Sequence, residues 1–459
     1  MRSEAIPTRV PQAETHAPAQ EQVLAVGRRI EASLAARGRS PGGWLDEALM
    51  RLCARDEQLR TALFRFIDVR PACRDRRELG EHLAALLAEA RPASGAGRLA
   101  AAIARGPLSR PAAGLAAGAA AQRVARRFIV GSSVAQALAS IEGLWRGGVG
   151  SSLDLLGEES VSEAEADSYA ARCVQTLQAL AEGARGWPER PPLEADSLGP
   201  LPRANLSVKV TALTPAIRAD APRRGIEDAL GRLRTILRGA REEGAHVHVD
   251  MESLDSRETV LGLLLGLLAE PEFAAGPSAG VVLQAYLRDS PQELEQILAW
   301  VARTGRSSPL TVRLVKGAYW DHEVVEARQH GWEVPVFERR ADCDRNFELL
   351  TRRLLGAHGP VRVALGSHNL RSIAHGIASL PLLGLGPQDI ELQVLRGLGD
   401  DIGRALAATG LRVRVYCPVG DLVQGMAYLV RRILENTAND SFLRARARGA
   451  DLEQLLARP

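Results

Sequence analysis

The chain has 459 residues and a net charge of +3, with 46% hydrophobic and 25% charged residues. This length suits one large domain plus a smaller one, and the near-balance of charge excludes a strongly basic nucleic-acid-binding surface. The five cysteines are scattered without a CxxC pair, which argues against a disulfide framework or a zinc site and predicts a cytoplasmic protein.

The first third of the sequence predicts a disordered tail followed by an all-α region. Residues 1–20 are polar, contain proline and have no apolar core, so they predict neither a signal peptide nor a membrane anchor. From 21 to 148 we expect a helical arm, because apolar residues recur at three- and four-residue spacing with little β-branching, mainly up to Leu87. The stretch 91–122 is rich in Ala, Gly and Pro, and it predicts a loose, at most partly helical connector.

From about Ser151 onward, short strand-type runs alternate with helical stretches. Eight such runs occur, at 152–158, 205–213, 246–252, 280–287, 310–320, 361–369, 390–397 and 412–420. This number and order predict an α/β fold, a distorted (βα)8 TIM-type barrel over 149–445, with a C-terminal tail over 446–459. An open, doubly wound sheet shows the same alternation and is the alternative.

The predicted strands alternate in polarity. In the third, His246, His248 and Asp250 are separated by valines, and in the eighth Arg412 and Arg414 alternate with apolar residues. Strands buried on both faces are normally continuous apolar runs. We therefore expect the polar face to line the barrel interior and a large polar ligand to bind near its C-terminal mouth.

Lysine is rare in this chain, since only Lys209 and Lys316 occur among 58 basic residues. So strong a bias toward arginine suggests that lysine is kept where a compact ammonium group is needed. Lys316 follows Arg313 in the run RLVKGAYWD, in which Gly317 permits close backbone approach. Two cations beside such a turn suit an anionic cofactor, through its pyrophosphate or as a reduced flavin. A solvent-exposed pair at a strand end is the alternative.

The last predicted helix begins at the N-cap Asp421. Helical spacing gathers Tyr428, Arg431, Arg432 and Glu435 on one side of it. Adjacent arginines in an otherwise apolar helix are costly to bury without an anion. A bound carboxylate and an exposed basic face are both open interpretations.

Two further motifs are explained better by a structural role than by a role in binding a cofactor or a metal. The segment 397–403, GLGDDIG, follows a strand, but its glycine spacing and two aspartates disfavour a dinucleotide loop and favour a helix start. His246, His248 and His368 suggest the metal cluster of barrel hydrolases, yet the remaining ligands are not evident. We expect no metal site.

The motifs SLDLLGE, LSVKVTALTP, VDMES, LQAYLRD, VRLVKGAYWD, SHN, VYCPVG and YLVRRILENTANDSF occur in this order. Together they resemble the flavin barrel of proline dehydrogenases over 151–444. The segment RLCARDEQLRTALFRFIDVRPAC resembles the helical domain that precedes this barrel in bifunctional proline utilisation proteins. Those proteins continue into an aldehyde dehydrogenase, which this chain is expected to lack, and we expect no DNA-binding segment.

The resemblance implies an enzyme that uses FAD to oxidise L-proline to 1-pyrroline-5-carboxylate and passes the electrons to a quinone, the first step from proline to glutamate. A separate glutamate semialdehyde dehydrogenase is a possible partner. Membrane contact is expected to be peripheral at most, because the longest apolar stretch, 260–269, is half the length that spans a bilayer. A metal-dependent barrel hydrolase and a non-catalytic barrel scaffold are the alternatives.

The resemblance also implies roles for individual residues. Glu158 is expected to gate the site by pairing with Arg431. The implied catalytic residues are Lys209, Asp250 and Tyr416. The implied substrate-binding residues are Lys209, Tyr416, Tyr428, Arg431 and Arg432.

The cofactor is expected to contact, or lie beside, Asp250, Gln284, Arg313, Lys316, Gly317, Ala318, Trp320, His368, Asn369 and Glu435. Family members often have Lys and Thr where this chain has Arg340 and Cys343, and ATHN where it has 366–369, GSHN. These departures predict altered contacts to the adenylate or ribityl portion of the flavin.

Overall fold

A computed structural model describes residues 17–36, 56–157, 159–420, 425 and 451–459. The described part before the barrel consists mainly of helices joined by short connections. Its helices are α1 (Gln20–Ala36), α2 (Glu57–Val69), α3 (Arg76–Ala90), α4 (Gly95–Arg105), α5 (Arg110–Phe128) and α6 (Val134–Arg146). Among the described helices, none is both long and apolar enough to cross a membrane.

All eight predicted strands form, and they close into one parallel barrel in the order β1-β8-β7-β6-β5-β4-β3-β2. The strands are β1 (Gly150–Leu155), β2 (Asn205–Val208), β3 (His246–Val249), β4 (Ser278–Gln284), β5 (Leu310–Val315), β6 (Val361–Gly366), β7 (Ile390–Leu395) and β8 (Arg412–Val419). This closure confirms the (βα)8 prediction and excludes the open sheet.

The helices of the barrel surround it because the strands present apolar side chains outward. Val247 and Val249 are fully buried in the same core cluster as Leu233 and Ile236. The surrounding helices are α7 (Glu163–Arg185), α8 (Pro222–Glu242), α9 (Arg257–Leu268), α10 (Ser290–Thr304), α11 (Trp320–His330), α12 (Arg340–Leu355), α13 (Leu370–Ser379) and α14 (Asp400–Ala408).

Every strand ends earlier than predicted. β2 ends at Val208, where 213 was expected, and β5 ends at Val315, where 320 was expected. The polar residues that follow, such as Lys209 and Lys316, have left the hydrogen-bonded ladder and lie in the loops at the C-terminal mouth. The predicted strands were therefore too long, because each one included the first residues of the loop that follows it.

The stretch 91–122, predicted as a loose, partly helical connector, is mostly helical, because α4 and α5 occupy most of it. Alanine has the highest helix propensity, and small residues let helices approach closely. A Cβ on Gly114 would lie 2.6 Å from the backbone nitrogen of Gly80, so α5 and α3 pack almost backbone to backbone. The small Ala and Gly residues of this stretch thus allow its helices to pack closely.

Residues 451–459, within the predicted C-terminal tail, are docked against α1. Leu456 is fully buried, and a Cβ on Gly27 would lie 2.3 Å from its Cδ1 atom. The backbone carbonyl of Leu456 accepts hydrogen bonds from Gln20 Nε2 and Arg371 Nη1, each at 2.8 Å. These contacts hold α1 and residues 451–459 against α13 of the barrel.

Candidate active site

A cavity of about 370 Å³ opens at the C-terminal ends of the barrel strands. This volume is within the usual range for a small-molecule site, and the mouth is where barrel enzymes place their chemistry. Apolar side chains from β4, β5 and β7 line part of it, namely Val282, Val315, Val394 and Leu395. Its charged lining residues are Asp154, Lys209, Asp250, Glu252, Arg313, Lys316 and Arg340.

Lys209 lies between two carboxylates at one side of the cavity. Its Nζ forms an ion pair with Asp154 Oδ1 and lies 3.9 Å from Asp250 Oδ2. Burial by itself lowers the pKa of Lys209, but the charges of Asp154, Asp250 and Glu252 outweigh it, so the pKa is raised. Lys209 therefore keeps its positive charge inside the barrel.

Asp250 joins three elements of the site. Its Oδ1 accepts a hydrogen bond from Arg313 Nη1 at 2.7 Å, and its Oδ2 accepts one from the Tyr416 hydroxyl at 2.6 Å. Burial, then the charges of Asp154 and Asp250, raise the pKa of Tyr416 well above its ordinary value. Tyr416 is therefore a protonated donor that fixes the orientation of Asp250.

Arg313 carries a donor that no described residue satisfies. Both its Nη atoms lie 3.3 Å from Ser207 Oγ, and its guanidinium carbon lies 5.6 Å from the centroid of the Tyr416 ring. Its Nε is buried without a hydrogen bond to any described residue. Because Arg313 is only 5% exposed and lines the cavity, this N–H is available for an acceptor on a ligand.

Lys316 and Gly317 form the turn after β5. Lys316 Nζ forms an ion pair with Asp344 and lies 5.7 Å from the centroid of the Phe347 ring. Gly317 has φ +122°, and a Cβ there would lie 2.4 Å from the Tyr286 ring. The close approach expected at Gly317 is thus made by Tyr286, whose backbone N–H donates to Lys316 O at 2.7 Å. Only glycine fits this turn.

Four of the remaining described residues predicted to contact the cofactor line the cavity. They are Gln284, Ala318, His368 and Asn369. Asn369 also caps α13 by accepting from Ser372 N at 3.1 Å, and His368 Nε2 accepts from Leu395 N at 2.9 Å.

Trp320 is not among the residues that line the cavity, so its contact with the cofactor stays a prediction. It is 38% exposed, and its Nε1 donates to Phe337 O at 3.0 Å. Trp320 is the first residue of α11, and the helix turns its indole toward the 337 loop. The LVKGAYW motif therefore contains both cavity residues and a residue that supports a neighbouring loop.

Five predicted site residues lie outside the described residues, as does most of the predicted final helix. They are Glu158, Tyr428, Arg431, Arg432 and Glu435. Their roles stay predictions.

The carboxylates that form the ion pairs with Lys209 and Lys316, Asp154 and Asp344, were not among the predicted site residues. Asp154 alternates with Ser152 on β1, so the rule that placed Asp250 inside the barrel would also have found it. Asp344 lies on α12, where nothing in its spacing distinguishes it from the surrounding charges. Its pairing with Lys316 depends on how α12 packs beside β5.

The histidines proposed for a metal cluster do not converge. His246 Nε2 lies 3.2 Å from His248 Nδ1, both rings are buried in the barrel, and burial lowers the pKa of His246 to about 3. His368 lines the mouth cavity instead. Within the described ranges, the single group with metal-ligand spacing is Asp255, His322 and Glu326, which contains none of these histidines. The arrangement gives no support to a histidine-based hydrolase.

Two family models match the chain. One, described as proline dehydrogenase, matches residues 137–445, and the other, described as the proline utilization A N-terminal domain, matches residues 20–128. The bifunctional protein PutA of Salmonella typhimurium is 32% identical over 343 residues, which cover 72% of this chain and 25% of that protein. Proline dehydrogenase 1 of Bacillus subtilis is 28% identical over 320 residues, which cover 70% of this chain and 89% of that protein.

Solved structures agree with these matches. Proline utilization A from Bdellovibrio bacteriovorus, inactivated by N-propargylglycine, superposes with a TM-score of 0.86 at 34% identity, covering 96% of this chain and 44% of that one. A Bradyrhizobium japonicum PutA mutant gives 0.73 at 25% identity, covering 98% and 46%. The chain thus spans less than half of these structures and a quarter of the bifunctional Salmonella relative. Because the proline dehydrogenase model matches more than half of its residues, the chain belongs to the proline dehydrogenase family.

Proposed function

We propose that this chain oxidises L-proline to 1-pyrroline-5-carboxylate with FAD as cofactor, as the first step from proline to glutamate. The observation that carries the proposal is the partly buried cation Lys209, held beside the mouth cavity by Asp154 and Asp250. A fixed ammonium group in a low-dielectric cavity is a binding point for the carboxylate of an amino acid. Family membership supplies the reaction class.

The cavity residues fit a flavin. Arg313 provides a buried N–H without an acceptor among the described residues, and Lys316 provides a second cation on the same strand end. Apolar side chains of β4, β5 and β7 offer a surface for a flat aromatic ring, and Gln284 adds an amide. We assign these residues, with Asp250, Gly317, Ala318, His368 and Asn369, to the cofactor side of the cavity, and Glu435 to its surroundings.

Lys209 and Tyr416 are assigned to the substrate side. Lys209 stays protonated, so it attracts the carboxylate, while Asp250 and Tyr416 hold each other in place through their hydrogen bond. Arg431 and Arg432 are proposed as two further carboxylate ligands, with Tyr428 shaping the pocket and Glu158 pairing with Arg431 when no substrate is bound.

Bound FAD supplies the acceptor for the hydride that leaves the carbon next to the proline nitrogen. The protein contributes orientation and exclusion of water, because a substrate held by its carboxylate cannot turn its ring away from the acceptor. Lys209 stays protonated and, with the Arg313 guanidinium, would balance the negative charge of the substrate and of a bound flavin.

A quinone is proposed as the electron acceptor, and a separate dehydrogenase as the enzyme that takes the product. Proline oxidation leaves two electrons on the cofactor, so turnover requires an acceptor. The product hydrolyses to an aldehyde, which suits a second oxidation. Contact with a membrane, where a lipid-soluble quinone is found, is proposed to be peripheral.

An absorbance experiment tests the proposal. Purified protein is expected to show a flavin spectrum that L-proline bleaches without oxygen and that a soluble quinone restores, whereas D-proline has no effect. Proline and NAD alone are expected to give no NADH. Colourless protein that does not take up added FAD, or a flavin that L-proline does not reduce, would overturn it.

A further inference from the structure

A second buried cluster of charges lies at the opposite end of the barrel, where the strands begin. A small cavity of about 20 Å³ lies there, and Leu201 and Pro202, just after the 195–200 hairpin, line it. We call it the floor cavity. Its polar lining residues are Asn205, His246, Ser278, Thr311, Arg362, Glu391, Gln393, Arg412 and Arg414.

Two of its three arginines each donate two hydrogen bonds to one carboxylate. Arg362 Nε donates to Asp196 Oδ2 at 2.8 Å, and its Nη2 lies 3.2 Å from Oδ1. Arg414 donates from Nε to Glu391 Oε1 at 2.9 Å and from Nη2 to Glu391 Oε2 at 3.0 Å. Gln393 Nε2 donates to Glu391 Oε1 at 2.6 Å as well. Both carboxylates are therefore already held by short hydrogen bonds from these two arginines.

Arg412 is the third arginine, and it has only distant carboxylates. Its Nε lies 3.5 Å from Glu391 Oε2 and its Nη2 lies 3.6 Å from Asp196 Oδ2. Its Nε and Nη1 are buried with no hydrogen bond to any described residue, although the residue is only 3% exposed. Buried donors of a charged group without an acceptor are strongly unfavourable.

Among the described residues, the groups around the floor cavity carry one more positive than negative charge. The charged groups that act most strongly on Arg412 are Glu391, Asp196, Arg414 and Arg362. His246 adds no charge, because burial and then the nearby Arg414 lower its pKa to about 3. Three guanidinium groups thus share two carboxylates. A water molecule would satisfy the free N–H groups but would leave the charge.

We propose that the floor cavity binds one small monovalent anion of the chloride class, held by the unpaired N–H groups of Arg412. The cavity has room for about one water-sized occupant, since about 10–15 Å³ is needed for a water molecule. Larger oxyanions and organic anions do not fit a space of about 20 Å³. The site lies at the end of the barrel that stabilises the fold, away from the mouth.

A thermal unfolding experiment tests this proposal on the purified protein as isolated. Sodium chloride replaces sodium gluconate at constant ionic strength, so that screening is unchanged. An anion that binds only the folded state raises Tm saturably, by about 2 °C. Arg412→Met is expected to lose this response, whereas the control Arg404→Met, which removes an exposed arginine paired with Asp401, keeps it.

A crystal of the wild-type protein grown in bromide gives an independent test that needs no variant. An anomalous peak within hydrogen-bonding distance of the Arg412 guanidinium supports the proposal even if Arg412→Met does not fold. A featureless or water-only cavity in bromide overturns it, as does a chloride response shared equally by all three proteins. Neither test depends on proline oxidation, so failure of the proposed function would leave these outcomes unchanged.

Discussion

The mouth and the floor of this barrel both bury arginines and carboxylates, but they use them differently. At the floor, Arg362 and Arg414 each bind a carboxylate through two donors, and the cavity has room for one small occupant. At the mouth, Lys209 and Arg313 share Asp154 and Asp250 beside a cavity of about 370 Å³.

The difference follows from what each end must hold. Two-donor pairs satisfy Arg362 and Arg414 at the floor, whereas Arg412 keeps two buried N–H groups without an acceptor among the described residues, enough for one small anion. At the mouth, Arg313 Nε lacks an acceptor among the described residues and Lys209 has kept its charge, so this end is arranged for a ligand. The comparison predicts that floor substitutions affect folding and that mouth substitutions affect activity.

The largest expected effect is on activity, from Lys209→Met. Loss of one buried charge partner costs about 2–5 kcal/mol, so we expect kcat/KM for proline to fall at least about 30-fold. Flavin content should stay near that of the wild type, because the proposed cofactor cations are Arg313 and Lys316. Steady-state kinetics and the flavin-to-protein absorbance ratio measure both quantities.

A double variant separates the contribution of Lys209 to activity from its contribution to stability. Lys209→Met leaves Asp154 buried without its cation, so some stability is lost too. Adding Asp154→Asn removes the stranded charge and should restore Tm without restoring activity. Near-normal kcat/KM in either variant would contradict the proposed role of Lys209.

The matching substitution at the floor is Arg414→Met. Removing one partner of a buried pair is expected to lower the free energy of unfolding by about 3–5 kcal/mol, since Glu391 is left charged and buried. Adding Glu391→Gln should recover most of this loss. Folded protein of both variants should keep wild-type kcat and KM. Denaturant unfolding and kinetics test this, and a loss of activity that the double variant does not recover would show that the floor also serves catalysis.

A smaller effect is expected from the turn that shapes the mouth. Gly317→Ala places a Cβ 2.4 Å from the Tyr286 ring at φ +122°, so we expect a loss of about 2 kcal/mol in unfolding free energy. The control is Gly231→Ala in α8, where a Cβ meets nothing within 4 Å and a gain of about 0.5–1 kcal/mol is expected. Equal responses of the two variants in thermal unfolding would show that the Gly317 turn adapts freely.

The sequence by itself determined the eight strands and their order, whereas the closure of the sheet into a barrel is seen in the structure. Alternation with period two and helical spacing are local properties, so the order of eight strands and the inward polar face of β3 and β8 followed from the residues alone. The same alternation placed Asp250 and Tyr416 inside, and the scarcity of lysine singled out Lys209 and Lys316, both of which line the mouth cavity.

Tertiary structure decided which groups meet. Lys209 pairs with Asp154 across 55 residues of sequence, and Tyr416 with Asp250 across 166, so both contacts exist only once the barrel has closed. Packing also directed the Trp320 indole to Phe337 O and brought α3 and α5 together at Gly80 and Gly114. Periodicity fixes which face of a strand or helix a side chain occupies, whereas its partner depends on how distant segments pack.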